Sequence, residues 1–266
     1  MKIIFLIFLF FNVLIADTIK VYFYTTEAHI SDFKSLKVGF DKYLGKHGDY
    51  EFQPFNDKKT FEKYLKDKNS IVVLSSWHYK KISKKFYLEA KLVAQKKATI
   101  RDTKILVGKI KDLREDVKVL VGLKDLPLKG VVTSAYDNEY TKELLSALTN
   151  NKSDNLSVLI VPKEIDALMS VSFGMSRFAL VSRDSLRLLK KINPRLSNSL
   201  KIYKESKPTY RILVACNKID KEKLKLMLVF EKMNLDNNGK NILKMIGIDK
   251  LVILSSNDLE NLGGAK

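Results

Sequence analysis

Four short polar clusters stand directly after apolar runs in this 266-residue chain: Thr25-Thr26-Glu27, Ser75-Ser76-Trp77-His78-Tyr79, Thr133-Ser134-Ala135-Tyr136 and Ser182-Arg183-Asp184-Ser185. Serine and threonine hydroxyls, with the unpaired amides of a helix N-terminus, are neutral donors that can hold a small oxyanion without a fixed counter-charge. In an open α/β sheet a ligand lies beyond the carboxyl ends of the strands, where these residues fall. Taken singly, each cluster reads first as a helix cap. Their repetition points to one shared pocket. Its candidate ligand-binding hydroxyls are Thr25, Thr26, Ser75, Ser76, Thr133, Ser134 and Ser182, with Trp77, Tyr79, Tyr136 and Arg183 beside them. Trp77 reads equally as a stacking surface or a core residue. Arg183 would add a charge for a larger anion, although a solvent-facing arginine is the simpler reading.

Catalytic chemistry finds little support. His29, His47 and His78 lack metal-ligand spacing, and no HExxH, GxSxG or phosphate-binding P-loop occurs. Asp166, early in a helical segment, complements the helix dipole. Cys216 lies in an apolar strand and reads as inert core. No enzyme, cofactor or metal is expected.

Charge is the unusual feature of the composition, at +18 with the basic residues mostly lysine and scattered. There is no arginine-rich tract and no basic–aromatic motif of a nucleic-acid module, so nucleic acid is excluded as a partner class. An anionic partner is favoured, either a small oxyanion or an anionic lipid surface. Lys2 followed by the apolar stretch Ile3–Ile15 and the small residue Ala16 has the layout of a secretory signal peptide over residues 1–16, too short for a comfortable membrane span. The expectation is export to the periplasm. A single cysteine leaves no internal disulfide.

The elements that must position the clusters alternate. TIKVYFY (18–24) reads as a strand, 32–44 as a helix capped by Ser31 or Asp32, 50–55 as a strand, 57–68 as an amphipathic helix and 71–74 as a buried strand. That β-α-β-α-β order predicts a parallel sheet with right-handed crossovers. Strands follow at 88–95, 104–110 and 117–123, then at 131–132 before a helix through Leu144, Leu145 and Leu148. Next come a strand at 156–161, a helix opened by Pro162 and ended by Gly174, and the apolar strand 178–181. A basic helix at 186–192, strands at 200–203 and 210–216, and helices at 221–233 and 239–246 complete the reading.

The helix–glycine–strand unit from Asp166 through Phe173-Gly174 to Ala179-Leu180-Val181 resembles the matching segment of periplasmic phosphate/phosphite/phosphonate-binding proteins of ABC transporters. The run from Gly239 to Ile248 is similar to that family's closing helix, and the order of signal peptide, Tyr79 and Thr133-Ser134 fits. The resemblance spans the mature chain through loose motifs. The chain has Ser176-Arg177 where the family has Ala-Asp, and no glycine in the Thr133–Tyr136 loop. The resemblance implies an α/β, two-lobed type 2 periplasmic-binding-protein fold, with two hinge-crossing strands and a ligand cleft. Lobe 1 would hold residues 17–107 and 209–266, lobe 2 residues 108–208, and the hinge would lie near 104–111 and 206–211. Tyr79, Thr133 and Ser134 would meet the oxyanion. The implied protein is a monomer that captures a small anionic ligand by lobe closure and presents it to an ABC permease in the inner membrane. A sensor or partner-binding module on the same fold, coupled to a sensor kinase, is the alternative; docking to anionic lipid is a third.

Overall fold

The computed structural model describes residues 18–27, 30, 32–110, 130–150 and 156–262. The expected signal peptide and the expected strand at 117–123 lie outside these residues.

The chain opens as β1 (Ile19–Tyr24), α1 (Phe33–Leu44), β2 (Tyr50–Pro54), α2 (Lys58–Tyr64), β3 (Ser70–Leu74), α3 (Ser76–Phe86) and β4 (Glu89–Gln95). Strand β1 pairs in parallel with β2 and β3, as the sequence predicted. The chain then leaves this sheet through β5 (Arg101–Asp102) and enters a second sheet with β6 (Lys104–Lys109). There follow β7 (Gly130–Ser134), α4 (Asn138–Leu148), β8 (Leu156–Ile160), α5 (Glu164–Ser172), β9 (Phe178–Ser182), α6 (Arg183–Ile192), α7 (Pro194–Asn198) and β10 (Leu200–Glu205). The second sheet has the order β10-β6-β9-β7-β8, with parallel pairing in β7–β8 and β7–β9 and antiparallel pairing of β6 with β9 and β10.

The return runs through β11 (Thr209–Tyr210), which pairs antiparallel with β5. Then come β12 (Leu213–Cys216), α8 (Lys221–Lys232), a 3-10 turn (Met233–Leu235), α9 (Asn237–Met245), β13 (Lys250–Ile253) and α10 (Ser256–Asn261). The first sheet is thereby completed in the order β13-β4-β12-β3-β1-β2. Each sheet is buried on both faces. Phe23, Phe40, Phe52 and Phe230 fill one side of lobe 1, and Tyr22, Phe61, Leu74 and Tyr79 the other. In lobe 2, Val107, Leu168 and Val181 lie on one face and Leu106, Tyr140 and Phe178 on the opposite one. This two-sided burial explains the unbroken apolar runs at 71–74 and 178–181.

Three details differ from the sequence reading. Strand β6 belongs to the second sheet, so the first crossing runs through residues 96–103, before the expected boundary at 107 and ahead of the hinge placed at 104–111. Helix α3 has no counterpart in the sequence reading beyond the helix-cap reading of the Ser75–Tyr79 cluster. Its sequence SWHYKKISKKF buries a narrow stripe including His78, Tyr79 and Ile82, and lysines mask that stripe. Elements beyond Ile248 were also unassigned, and they add the edge strand β13 and the helix α10.

Gly239 has a specific packing role. The Asp236 side chain accepts the Gly239 amide at 2.9 Å and so caps α9, which draws the backbone against the preceding turn. A methyl group at Gly239 would lie 1.9 Å from the carbonyl oxygen of Met233. Gly239→Ala is therefore expected to destabilise lobe 1 by about 1–3 kcal/mol, the usual cost of overpacking. Denaturant unfolding checks this, and an unchanged midpoint would contradict the close approach.

Candidate functional site

The loops after β1 and β3 meet the loops after β7 and β9, and the Asp137 amide donates to the Thr26 carbonyl across the lobes at 3.2 Å. At the centre of the contact lies Lys104, the first residue of β6 and only 2 % exposed. Its ammonium pairs with Glu27 of lobe 1 at 2.7 Å and with Asp102 of the crossing at 2.8 Å. Burial alone would lower its pKa, but the two carboxylates outweigh that and hold it well above the ordinary lysine value. Glu27 spends one carboxylate oxygen on this pair; the other, Oε1, is buried with no hydrogen-bond partner among the described residues. Arg211, on the second crossing, reaches Asp184 at 3.3 Å and Asp102 at 3.8 Å. Lys97, on the first, meets Asp184 at 3.1 Å. Burial pushes the Asp184 carboxyl up, but Lys97 and Arg211 hold it below the usual value.

A cavity of about 240 Å³ opens beside this cluster. Its ionisable lining comprises four acids (Glu27, Asp102, Glu164, Asp184) and four bases (Lys96, Lys104, Arg211, Lys244). Its wall is therefore formally balanced despite the basic chain. On the lobe 2 side, Ser182 caps α6 through the Ser185 amide. The Glu164 carboxylate lies over that helix start, accepting from the Ser182 amide at 2.6 Å and the Ser182 hydroxyl at 2.8 Å. The Ser185 and Tyr136 hydroxyls donate to it as well. A second cavity of about 310 Å³ lies on the other side of Tyr136 and is lined by Thr25, Thr26, Phe33, Phe55 and Asp137 among others.

A latch bridges the lobes beside the buried cluster. The Trp77 indole N–H donates to Glu143, and its ring lies 5.0 Å from that of Tyr140. Lys81 sits 4.3 Å from the centre of the Trp77 ring and pairs with Glu139 and Glu143, while Lys58 also pairs with Glu139. Trp77 is thus an interlobe contact.

The structure separates the expected site residues into groups. Thr26 donates to Ser75 at 2.9 Å, both buried at the lobe contact, and Thr25 lines the second cavity. Ser75 caps α3, and the Ser76 hydroxyl is committed to the Tyr210 carbonyl. Ser182 and Tyr136 converge on Glu164. Four of the expected residues have their polar groups engaged within their own lobe. Tyr79 faces the lobe 1 core, where its hydroxyl donates to the Leu88 carbonyl at 3.0 Å and accepts the Ala90 amide at 3.3 Å. Thr133 is buried in lobe 2, near the carbonyls of Ala167 at 3.1 Å and Phe178 at 3.2 Å. Ser134 accepts from the Tyr136 amide and the Thr141 hydroxyl, both at 3.2 Å. Arg183 turns away from the 240 Å³ cavity to pair with Glu205. All four are satisfied by backbone or neighbouring side chains.

The sequence reading missed Lys104, Asp102, Glu164 and Arg211 as site residues. One signal was legible: Lys104 interrupts the start of an apolar strand, and a lysine buried there requires carboxylate partners. Among the described residues no group of three or more His, Cys, Asp or Glu side chains is placed to hold a metal ion.

Two α/β lobes joined by two crossings, with parallel-strand ends directed to a shared cleft, define the two-lobed type 2 periplasmic-binding-protein fold. Among solved structures the chain is similar to a binding-protein component of an ABC phosphonate transporter from Pseudomonas aeruginosa, at 13% identity and TM-score 0.65, covering 93% of this chain and 85% of that one. It is also similar to PhnD1 of Prochlorococcus marinus in complex with methylphosphonate (13% identity, TM-score 0.64, 92% and 96% covered). A Xanthomonas citri protein bound to ATP compares equally (12% identity, TM-score 0.65, 92% and 95% covered). No protein-family model and no curated protein matches the sequence.

Two predictions follow the geometry. Lys104→Met leaves Glu27 and Asp102 buried without their cation and is expected to cost about 3–5 kcal/mol, read by denaturant unfolding; a loss under 1 kcal/mol would contradict the burial. In the latch, Lys58 and Lys81 hold the Glu139 carboxyl at about 2, below its ordinary 4.5. A depressed carboxyl stabilises the folded form fully above 4.5, and this contribution drains as the pH falls toward about 2. Thermal midpoints of the wild type should thus fall more steeply over that range than those of Glu139→Gln. Parallel curves would contradict the latch.

Proposed function

We propose that the chain is a periplasmic solute-binding protein that captures a small charged solute between its lobes and presents it to an ABC permease. The observation that carries this reading is the 240 Å³ cavity between the lobes, lined by residues of both lobes and both crossings. Closure about the crossings at 96–103 and 206–211 brings ligand groups into contact with both walls at once, so that binding energy shifts the lobe equilibrium. No described helix is long and apolar enough to cross a membrane.

The cavity wall narrows the expected ligand. Lys96, Lys244 and Arg211 supply cations for an anionic group, in keeping with the small-anion expectation and with the phosphonate-linked proteins of similar fold. The buried Oε1 of Glu27 seeks a donor. A fully deprotonated oxyanion has none to offer, whereas a phosphate or phosphonate that keeps its P–OH proton, or an organic anion bearing an amine or hydroxyl, does. The ligand class is therefore an oxyanion with a donor group, and phosphonates with an amine, which carry a donor at every protonation state of the phosphonate, are its simplest organic members.

The interlobe latch favours one alternative on the same fold, a sensor or partner-binding module without a transport role. Its ion pairs join the lobes through protein groups alone.

A thermal-shift screen of the mature chain separates these readings, using phosphate, methylphosphonate, aminoalkylphosphonates and amino acids. A solute at about a thousand times its dissociation constant adds roughly 4 kcal/mol, a shift of several degrees for a chain of this size. An aminoalkylphosphonate is expected to give the largest shift. No shift with any member, together with solution scattering that does not respond to solute, would sink the transport reading and favour the partner-binding module.

A further inference from the structure

The lobe 2 wall already holds an oxyanion, and it belongs to the chain. Glu164 is the first residue of α5, yet its side chain does not serve that helix, whose N-cap residue, Lys163, makes no side-chain cap bond. It crosses instead to the start of α6. There Oε1 accepts the Ser182 amide at 2.6 Å and the Tyr136 hydroxyl, and Oε2 accepts the Ser182 hydroxyl at 2.8 Å and the Ser185 hydroxyl. Four donors, drawn from the β7–α4 turn and from the β9–α6 junction, meet the four or so lone-pair sites of one carboxylate. This is the donor set by which helix N-termini and short hydroxyls hold a free oxyanion. Tyr136 and Ser182 are also two of the residues whose type and position pointed to anion binding in the sequence.

We propose that Glu164 is a specificity-determining residue: a tethered carboxylate that fills the oxyanion cradle of lobe 2 and bars free phosphate, phosphonate and carboxylate groups from it. The inference rests on the cleft being the ligand site. A free oxyanion entering the cradle meets a like charge and finds every donor engaged. It also competes with a group held at an effective concentration on the order of millimolar or more, as for any short tether. The ligand's anionic group is accordingly met by Lys96, Lys244 and Arg211, which line the same cavity. Substitution of Glu164 by a small residue exposes four donors and converts the cradle into a general oxyanion site.

The test compares the full-length mature wild type with Glu164→Ala, titrated with inorganic phosphate, methylphosphonate and formate by calorimetry and thermal shift, with chloride at matched ionic strength as control. The alanine variant is expected to lose stability, to recover it in a saturable manner with these oxyanions but not with chloride, and to bind phosphate at least tenfold more tightly than the wild type. Equal responses in the two proteins, or none in either, would overturn the proposal. Should the variant not fold, the wild type decides. Saturable binding of phosphate or methylphosphonate at micromolar concentration, abolished by Tyr136→Phe or Ser185→Ala, would show the cradle open and the proposal wrong; no such binding upholds it. The outcomes also separate the two levels of the account. Tight phosphate binding by the wild type that Tyr136→Phe or Ser185→Ala abolishes leaves solute capture standing while removing the role of Glu164. Rescue of the variant by anions, with no solute bound by the wild type, does the reverse.

Discussion

One buried cation stands at the centre of the contact between the lobes. Lys104 is 2 % exposed and is held by a carboxylate from lobe 1 and another from the crossing. An ammonium taken out of water costs several kcal/mol unless it is paired and hydrogen-bonded. Lys104 starts the first strand of lobe 2, and Glu27 lies in the loop just beyond β1 of lobe 1. Their pairing is satisfied only with the lobes together. The requirement that no buried charge stand alone thus couples local side-chain chemistry to the disposition of two domains.

Around that pair the cleft is built from compensated charge. Asp184 is shared by Lys97 and Arg211, and Glu164 by three hydroxyls and an amide. The surplus of positive charge that dominates the composition is spread over the surface and leaves the cavity wall balanced. Net charge describes the field that a distant partner meets. Recognition within the cleft is decided by which atoms remain unsatisfied.

The fold was legible because it is written in periodicity. The runs 71–74 and 178–181 are buried on both faces, and the caps Asp32, Asp57, Ser75 and Ser182 stand where helices begin. The strand ends, expected to carry the ligand, lie where the lobes meet. What the sequence did not disclose is the direction in which each hydroxyl points. Thr133 and Ser134 lie at a strand end but turn inward to carbonyls and neighbouring hydroxyls, and Tyr79 turns toward the core across one helical turn. Charged residues far apart in sequence, such as Glu27 and Lys104 or Asp184 and Arg211, reveal their pairing only once the two crossings bring them together. Short-range pattern carries the first kind of information; long-range contact carries the second.

Coupling of the lobes by the Lys104–Glu27 pair is read from the interlobe distance distribution between spin labels on exposed positions of α1 and α6, recorded for the wild type and for Glu27→Gln. The native Cys216 is buried and does not compete for label. A dominant short-distance population is expected in the wild type, and a second, longer population when the carboxylate is neutralised. Superimposable distributions would contradict the coupling.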